Sequence, residues 1–189
     1  TVKSDNSPDS QAVAPVELHV FAAASLTETF EKISKAFEAA NPDIKVILTF
    51  DSSGTLKTQI QQGADADLFV SAAQKQMNQL EAGNEANTES LDCVLKETRV
   101  NLLENQVTLV VPTNNPAGVS SFADLGTDKV NKIALGNKDV PVGQYSEELL
   151  TNLGIWDAIQ PKVTFGSNVK EVTTWVKEGV ADCGIVYAT

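Results

Sequence analysis

The chain has 189 residues, 42% hydrophobic and 21% charged, and its 25 acidic against 14 basic residues give a formal charge of −11. That length holds one domain or two small lobes. No basic cluster offers itself to a nucleic acid, and no apolar run reaches the length of a membrane span. Residues 1–15 are polar with two prolines and read as a disordered tether. From residue 17 strands alternate with helices. A strand over 17–21 leads into Val-Phe-Ala-Ala-Ala-Ser-Leu at 20–26. A helix over 26–41 then carries Leu26, Phe30, Ile33 and Phe37 at spacings of three and four, and Asn41-Pro42 stops it. A strand over 45–50 ends at Asp51-Ser52-Ser53-Gly54-Thr55. A helix over 55–62 follows, ended by Gly63, then a short buried strand over 67–71 and a helix over 75–82. Residues 83–92 read as a surface connection.

The alternation then restarts. Strands are expected over 105–112, 133–135, 162–165 and 184–187, the last one buried. A short helix is expected over 121–125, with longer ones opening at Val140-Pro141-Val142-Gly143 and at Asn168. The pattern is that of an α/β fold with mainly parallel sheets and flanking helices. It divides into a lobe over 16–97 and a lobe over 98–189, with a hinge near 96–103 and 186–189 and a ligand cleft between.

Five of the handovers from strand to helix or turn concern function. Ser25 stands where a strand gives way to a helix, after three alanines that let another molecule approach the backbone. Unpaired N–H groups and the helix dipole make such a place fit for an anion, and an ordinary serine N-cap is the plain alternative. Ser52, Ser53 and Thr55 repeat the arrangement, as an oxyanion site or simply a Ser-Ser-Gly turn. They make no P-loop, because the lysine and the glycine spacing are missing. Pro141-Val142-Gly143 and Ser167-Asn168-Val169 would contribute backbone amides or be plain helix starts. Tyr187 either donates into the cleft or is a core tyrosine with a satisfied hydroxyl.

Five motifs occur in order: Phe21-Ala22-Ala23-Ala24-Ser25-Leu26, Asp51-Ser52-Ser53-Gly54-Thr55-Leu56, Ala66-Asp67-Leu68-Phe69-Val70-Ser71-Ala72, Val140-Pro141-Val142-Gly143-Gln144-Tyr145 and Gly184-Ile185-Val186-Tyr187. With them the chain resembles the substrate-binding proteins of molybdate ABC transporters over residues 16–189. The resemblance implies a two-lobed type II periplasmic-binding-protein fold. Its chains continue past the Gly-Ile-Val-Tyr strand to return to the first lobe, so the fold would lack its C-terminal part here. Carried over by motif, the oxyanion ligands fall on Ser25, Ser53, Val142, Val169 and Tyr187, with the Ala24 and Ser53 amides as further donors. The resemblance also implies no cofactor beyond the ligand molybdate or tungstate, no direct protein–metal ligand, and a monomer that meets a permease. It places the protein outside the cytoplasm, in the periplasm or on a lipid anchor that is its one link to the membrane.

A site of neutral donors suits molybdate and tungstate, which carry no proton at neutral pH. Phosphate does carry one and needs an acceptor, which Asp51 would supply if it pointed inward. Sulfate differs from molybdate only in size. A different oxyanion such as sulfate or phosphate is therefore the alternative ligand. An enzyme is not expected. No Gly-x-Ser-x-Gly elbow is present, and His19, the one histidine, sits six residues before Ser25 on a strand, where packing is its expected role. Cys93 and Cys183 show no metal spacing; free thiols and a single disulfide both fit them.

Overall fold

A computed structural model describes residues 15–188 of the chain, so the expected tether lies outside the described residues except for Pro15, which is exposed. Two sheets organise the rest. The first is three parallel strands in the order β2-β1-β3, with β1 Val16–Ala23 central, β2 Ile44–Asp51 on one side and β3 Leu68–Val70 on the other. β1 can be central because Val20 to Ala23 are apolar or small on both faces and all buried. Helices α1 Thr27–Ala40, α2 Ser53–Gln61 and α3 Gln74–Leu80 follow the three strands in turn.

The second sheet has the order β4-β7-β5-β6, from β4 Val107–Val110, β5 Ile133–Gly136, β6 Val163–Gly166 and β7 Cys183–Tyr187. Its helices are α4 Pro141–Asn152, α5 Trp156–Ile159 and α6 Val169–Lys177, with a 3-10 turn Phe122–Gly126 capped reciprocally by Ser121 and Asp124. The expected parallel arrangement has one exception: β4 runs antiparallel to β7, with Val107 opposite Tyr187. The amide of Ala188 continues that pairing to the Gln106 carbonyl at 2.8 Å, so the segments entering and leaving the second sheet run side by side.

One expectation about burial needs correction. β3 is not a buried strand, since Leu68 is exposed and only three residues pair. The stripe on α1 exists, but no residue of that helix is buried, and Ile33 and Phe37 are 50% and 39% exposed. Periodicity gives a helix a face; what covers the face depends on the rest of the fold. The main core sits in the second sheet and its helices, around Leu125, Ile133, Leu135, Leu150, Ile159, Val172, Cys183 and Ile185. From residue 81 to 106 the backbone is irregular. Arg99 ties part of it to α3, reaching Glu81 at 2.6 Å and Asn78 at 2.7 Å. His19 sits half-buried in central β1, 3.6 Å from Glu17. Both cysteines are free; Cys93 is exposed, while Cys183 is buried with its thiol pushed up to about 12 by desolvation, aided by Asp182.

Candidate functional site

Where the two sheets' helices meet, a hollow of ≈ 200 Å³, its open mouth included, is walled by Ala23, Ala24, Ser25, Ser52, Ser53, Ala72, Val140, Pro141, Val169 and Tyr187. Ser25, Ser53, Val169, Tyr187 and Ala24 are thus brought together from both sheets. No charged side chain is among the wall residues. A larger open cleft, ≈ 740 Å³ with the solvent above it, is lined by Lys75, Lys138, Gln144, Glu147, Glu148, Thr151 and Asn152. It carries both signs of charge, and none of the ligand residues expected from the sequence lines it.

Helix starts build most of the wall. After β1 the chain turns through a 3-10 turn at Ala24–Leu26 before α1 begins. Ser25 makes no side-chain bond to either helix end; the Thr27 hydroxyl bonds the Ala24 carbonyl instead, at 2.8 Å. The plain N-cap alternative for Ser25 therefore does not hold, and its hydroxyl stays available at the hollow.

At the second wall the cap is Ser52, whose Oγ accepts from the Thr55 amide at 3.1 Å. Helix α2 thus begins two residues earlier than expected, and Ser53 is its first residue rather than part of a preceding loop. Ser53 is fully buried, and its Oγ accepts the Ala72 amide at 3.0 Å. With a donor already received, the hydroxyl proton is left to point elsewhere, and Ser53 faces the hollow as a donor. Asp51 is no inward acceptor: its carboxylate accepts the Ser52 amide at 2.6 Å, and it is absent from the wall.

The other sheet supplies the remaining walls. Pro141 occupies the first position of α4 and has no N–H, so the Val142 amide is the first donor of that helix. The Val142 side chain is fully buried, and the wall here is formed by Val140 and Pro141 rather than by Val142 itself. The sequence reading placed Val142 as an amide contributor only, and the structure leaves it one residue behind the surface. At α6 the Asn168 side chain caps by accepting from Glu171 at 3.0 Å, which places Val169 at the first helical position and in the wall. Tyr187 ends β7, buried, with a hydroxyl that has no partner among the described residues. Burial raises its pKa well above the usual phenol range, with a smaller contribution from Tyr145, so the group remains a protonated donor.

The sequence reading missed Ala72, whose amide orients Ser53. It also missed the separation of roles between Ser52, which caps, and Ser53, which faces the hollow. Two adjacent serines at a helix start signal a cap without telling which of them makes it. Among the described residues no group of three or more histidine, cysteine or carboxylate side chains is gathered to hold a metal ion, and no helix is long and apolar enough to cross a membrane.

Residues 18–189 match the family described as bacterial extracellular solute-binding protein. The molybdate-binding protein ModA of Haemophilus influenzae is 34% identical over 180 residues, covering 93% of this chain and 68% of its own. That of Escherichia coli is 34% identical over 183 residues, 92% of this chain and 66% of its own. The solved substrate-binding domain assigned to a molybdenum ABC transporter of Clostridium difficile is 42% identical, with a TM-score of 0.61 over 91% of this chain and 71% of its own. The periplasmic molybdate-binding protein of Azotobacter vinelandii, at 24% identity, shares the fold with a TM-score of 0.74 over 90% of this chain and 71% of its own. The chain thus spans about two thirds of the length of these curated relatives. It belongs to the bacterial extracellular solute-binding proteins, with the fold of the periplasmic binding proteins.

Proposed function

We propose that this protein captures molybdate or tungstate in the hollow between its two sheets and delivers it to the permease of an ABC transporter. The observation that carries the proposal is the buried Tyr187 hydroxyl, which has no partner among the described residues and belongs to the wall that also holds Ser25 and Ser53. A buried donor without an acceptor costs about 1–3 kcal/mol, a cost that a bound anion removes. Four helix starts from two sheets bring further N–H groups and the positive ends of their dipoles to the same place.

The absence of charge from the wall supports a tetrahedral dianion as the ligand. A tetrahedral dianion without a proton can have every oxygen met by a donor, with no acceptor left facing it. Phosphate at neutral pH brings a proton, and the wall has no carboxylate to receive it. Leaving that proton unpaired costs about 1–3 kcal/mol, or roughly tenfold to hundredfold in affinity. The surface charge of −11 opposes anions at long range, but salt screens it beyond about 8 Å, whereas the helix starts act at contact. The edge of the second sheet where the connecting segment enters it at β4, beside the end of β7, is where a hinge motion would open and close the site. Ser25, Ser53, Val142, Val169, Tyr187 and Ala24 are the proposed contacts.

A thermal-shift series with molybdate, tungstate, sulfate and phosphate tests the reading. A ligand that binds the folded state raises the melting temperature as its concentration exceeds Kd. Molybdate and tungstate are expected to raise it most. A shift with phosphate equal to that with molybdate contradicts the proposal, and a shift with sulfate alone reassigns the ligand.

A further inference from the structure

The connecting segment is seated on the first half by polar side chains rather than apolar ones. Val100 and Leu102 are exposed, whereas Arg99 and Asn101, which alternate with them, reach α3. Arg99 is the one arginine of the chain. Its guanidinium donates to the Gln74 side-chain carbonyl, to that of Asn78 at 2.7 Å and to the Glu81 carboxylate at 2.6 Å. Gln74 in turn gives its side-chain amide to Asn101 at 2.6 Å. Positions 74, 78 and 81 are spaced four and three apart and share one face of the helix and its C-cap. Gln76 and Leu80, on the opposite face, are buried. A helix of seven residues does not hold itself together in water. α3 is therefore gripped from two sides, by burial on one face and by Arg99 on the other.

What α3 holds is the turn that enters it. Ala72, two residues before the helix, lies in the wall of the hollow and gives its amide to Ser53 Oγ at 3.0 Å. The strand upstream supports Ala72 little, since β3 pairs over three residues only and leaves Leu68 exposed. The Ser71 hydroxyl closes the turn, donating to the Ala73 carbonyl at 2.7 Å and accepting the Ala73 amide at 3.2 Å. A shift in the first turn of α3 is thereby passed to Ala72. The residue type matters as well. A guanidinium carries five N–H donors in a planar fork and meets three acceptors at once, whereas the donors of an ammonium sit on a single nitrogen.

We propose that Arg99 is a positioning residue of the oxyanion site: it fixes α3, α3 fixes Ala72, and the Ala72 amide sets the direction in which the Ser53 hydroxyl proton points. The binding part of this inference rests on the proposed function; the hold of Arg99 on Ala72 does not.

Hydrogen exchange of backbone amides, followed by nuclear magnetic resonance without anion, tests that hold. In Arg99→Ala the Ala72 amide is expected to exchange roughly tenfold faster, while the amides of the buried strands β5 and β7 keep their rates. Arg99→Lys is expected to show the same change to a smaller degree and carries the test if Arg99→Ala does not fold. An unchanged rate at Ala72, or an equal acceleration throughout the protein, overturns the proposal. Calorimetric titration with molybdate is the second arm. Arg99→Ala is expected to weaken binding about tenfold in the parent and in Tyr187→Phe, and to add little in Ser53→Ala, because it acts through that serine. The same tenfold loss in Ser53→Ala overturns the route through Ser53. Faster exchange at Ala72, together with no molybdate binding by the parent, supports the hold on Ala72 and overturns the proposed ligand.

Discussion

The two halves of this protein are written in the same α/β alternation yet bury their side chains very differently. The second sheet and its helices enclose a continuous core, with Leu125, Ile133, Leu135, Leu150, Ile159 and Ile185 fully buried. The first half buries one strand, Leu56 and Leu80, while α1 leaves Ile33 and Phe37 in contact with solvent and β3 leaves Leu68 there. Val100, Leu102 and Leu103 in the connecting segment are more than 60% exposed as well. An amphipathic stripe is thus a statement about what a helix is able to pack against. Among the described residues the stripe on α1 is only partly covered, with Phe30 half-buried and Ile33 and Phe37 exposed, so the second half holds most of the buried core.

The largest expected effect follows from that contrast. Leu150→Ala removes a fully buried side chain from the second core and is expected to cost about 2–5 kcal/mol. Phe37→Ala on the exposed stripe of α1 is expected to cost about 1 kcal/mol or less. Urea unfolding of both variants reads the difference, and equal losses would mean that the first half is as well packed as the second.

The site sharpens the comparison because each half contributes a different kind of hydroxyl. Ser53, from the first half, already serves the protein by accepting the Ala72 amide. Ser53→Ala is therefore expected to lower stability by about 1–3 kcal/mol and to weaken oxyanion binding by a similar amount. The hydroxyl of Tyr187, from the second half, serves no partner among the described residues. Tyr187→Phe is expected to weaken binding by about 1–3 kcal/mol while leaving the empty protein as stable as before, or more stable. Calorimetry and thermal unfolding on the two variants separate these patterns. A stability loss in Tyr187→Phe as large as that in Ser53→Ala would show a structural role for the tyrosine.

Much of this was legible in the sequence, and the misses share a cause. The order of strands and helices follows from periodicity and punctuation such as Asn41-Pro42 and Gly63. The small residues before Ser25 and the serines at 52 and 53 are among those that the structure brings to the hollow. The direction of β4 was not legible, because an apolar run such as Val-Thr-Leu-Val reads the same in a parallel or an antiparallel place. Nor was the exposure of α1 or the part played by Ala72, whose contribution is an amide that every residue but proline possesses.

The smallest effects are expected at acid pH, where each half has one pinned carboxylate. Glu38, in α1, is held below its usual range chiefly by the Val46 amide, with Lys45 assisting against some desolvation. Asp124, in the second half, is held well below its range first by Lys129 and then by Ser120. A carboxyl with a depressed folded pKa gives stability that is complete above its unfolded value and lost as pH falls through the folded one. Melting temperature should therefore fall from about pH 4 downward. Glu38→Gln and Asp124→Asn should each flatten that fall, Asp124→Asn by more. An unchanged slope in Asp124→Asn would mean that its interactions persist in the unfolded chain. The cysteines provide a parallel probe: Cys93 should react with a thiol reagent in the folded protein, and Cys183 only after unfolding.

The account depends most on uncharged donors from both halves meeting on one anion, and a calorimetric titration of molybdate into the parent protein and into the double variant Ser25→Ala/Tyr187→Phe tests this most directly. Saturable binding by the parent and at least a hundredfold weaker binding by the double variant, folded by circular dichroism, is the result predicted. Equal molybdate affinity in the two proteins would contradict it.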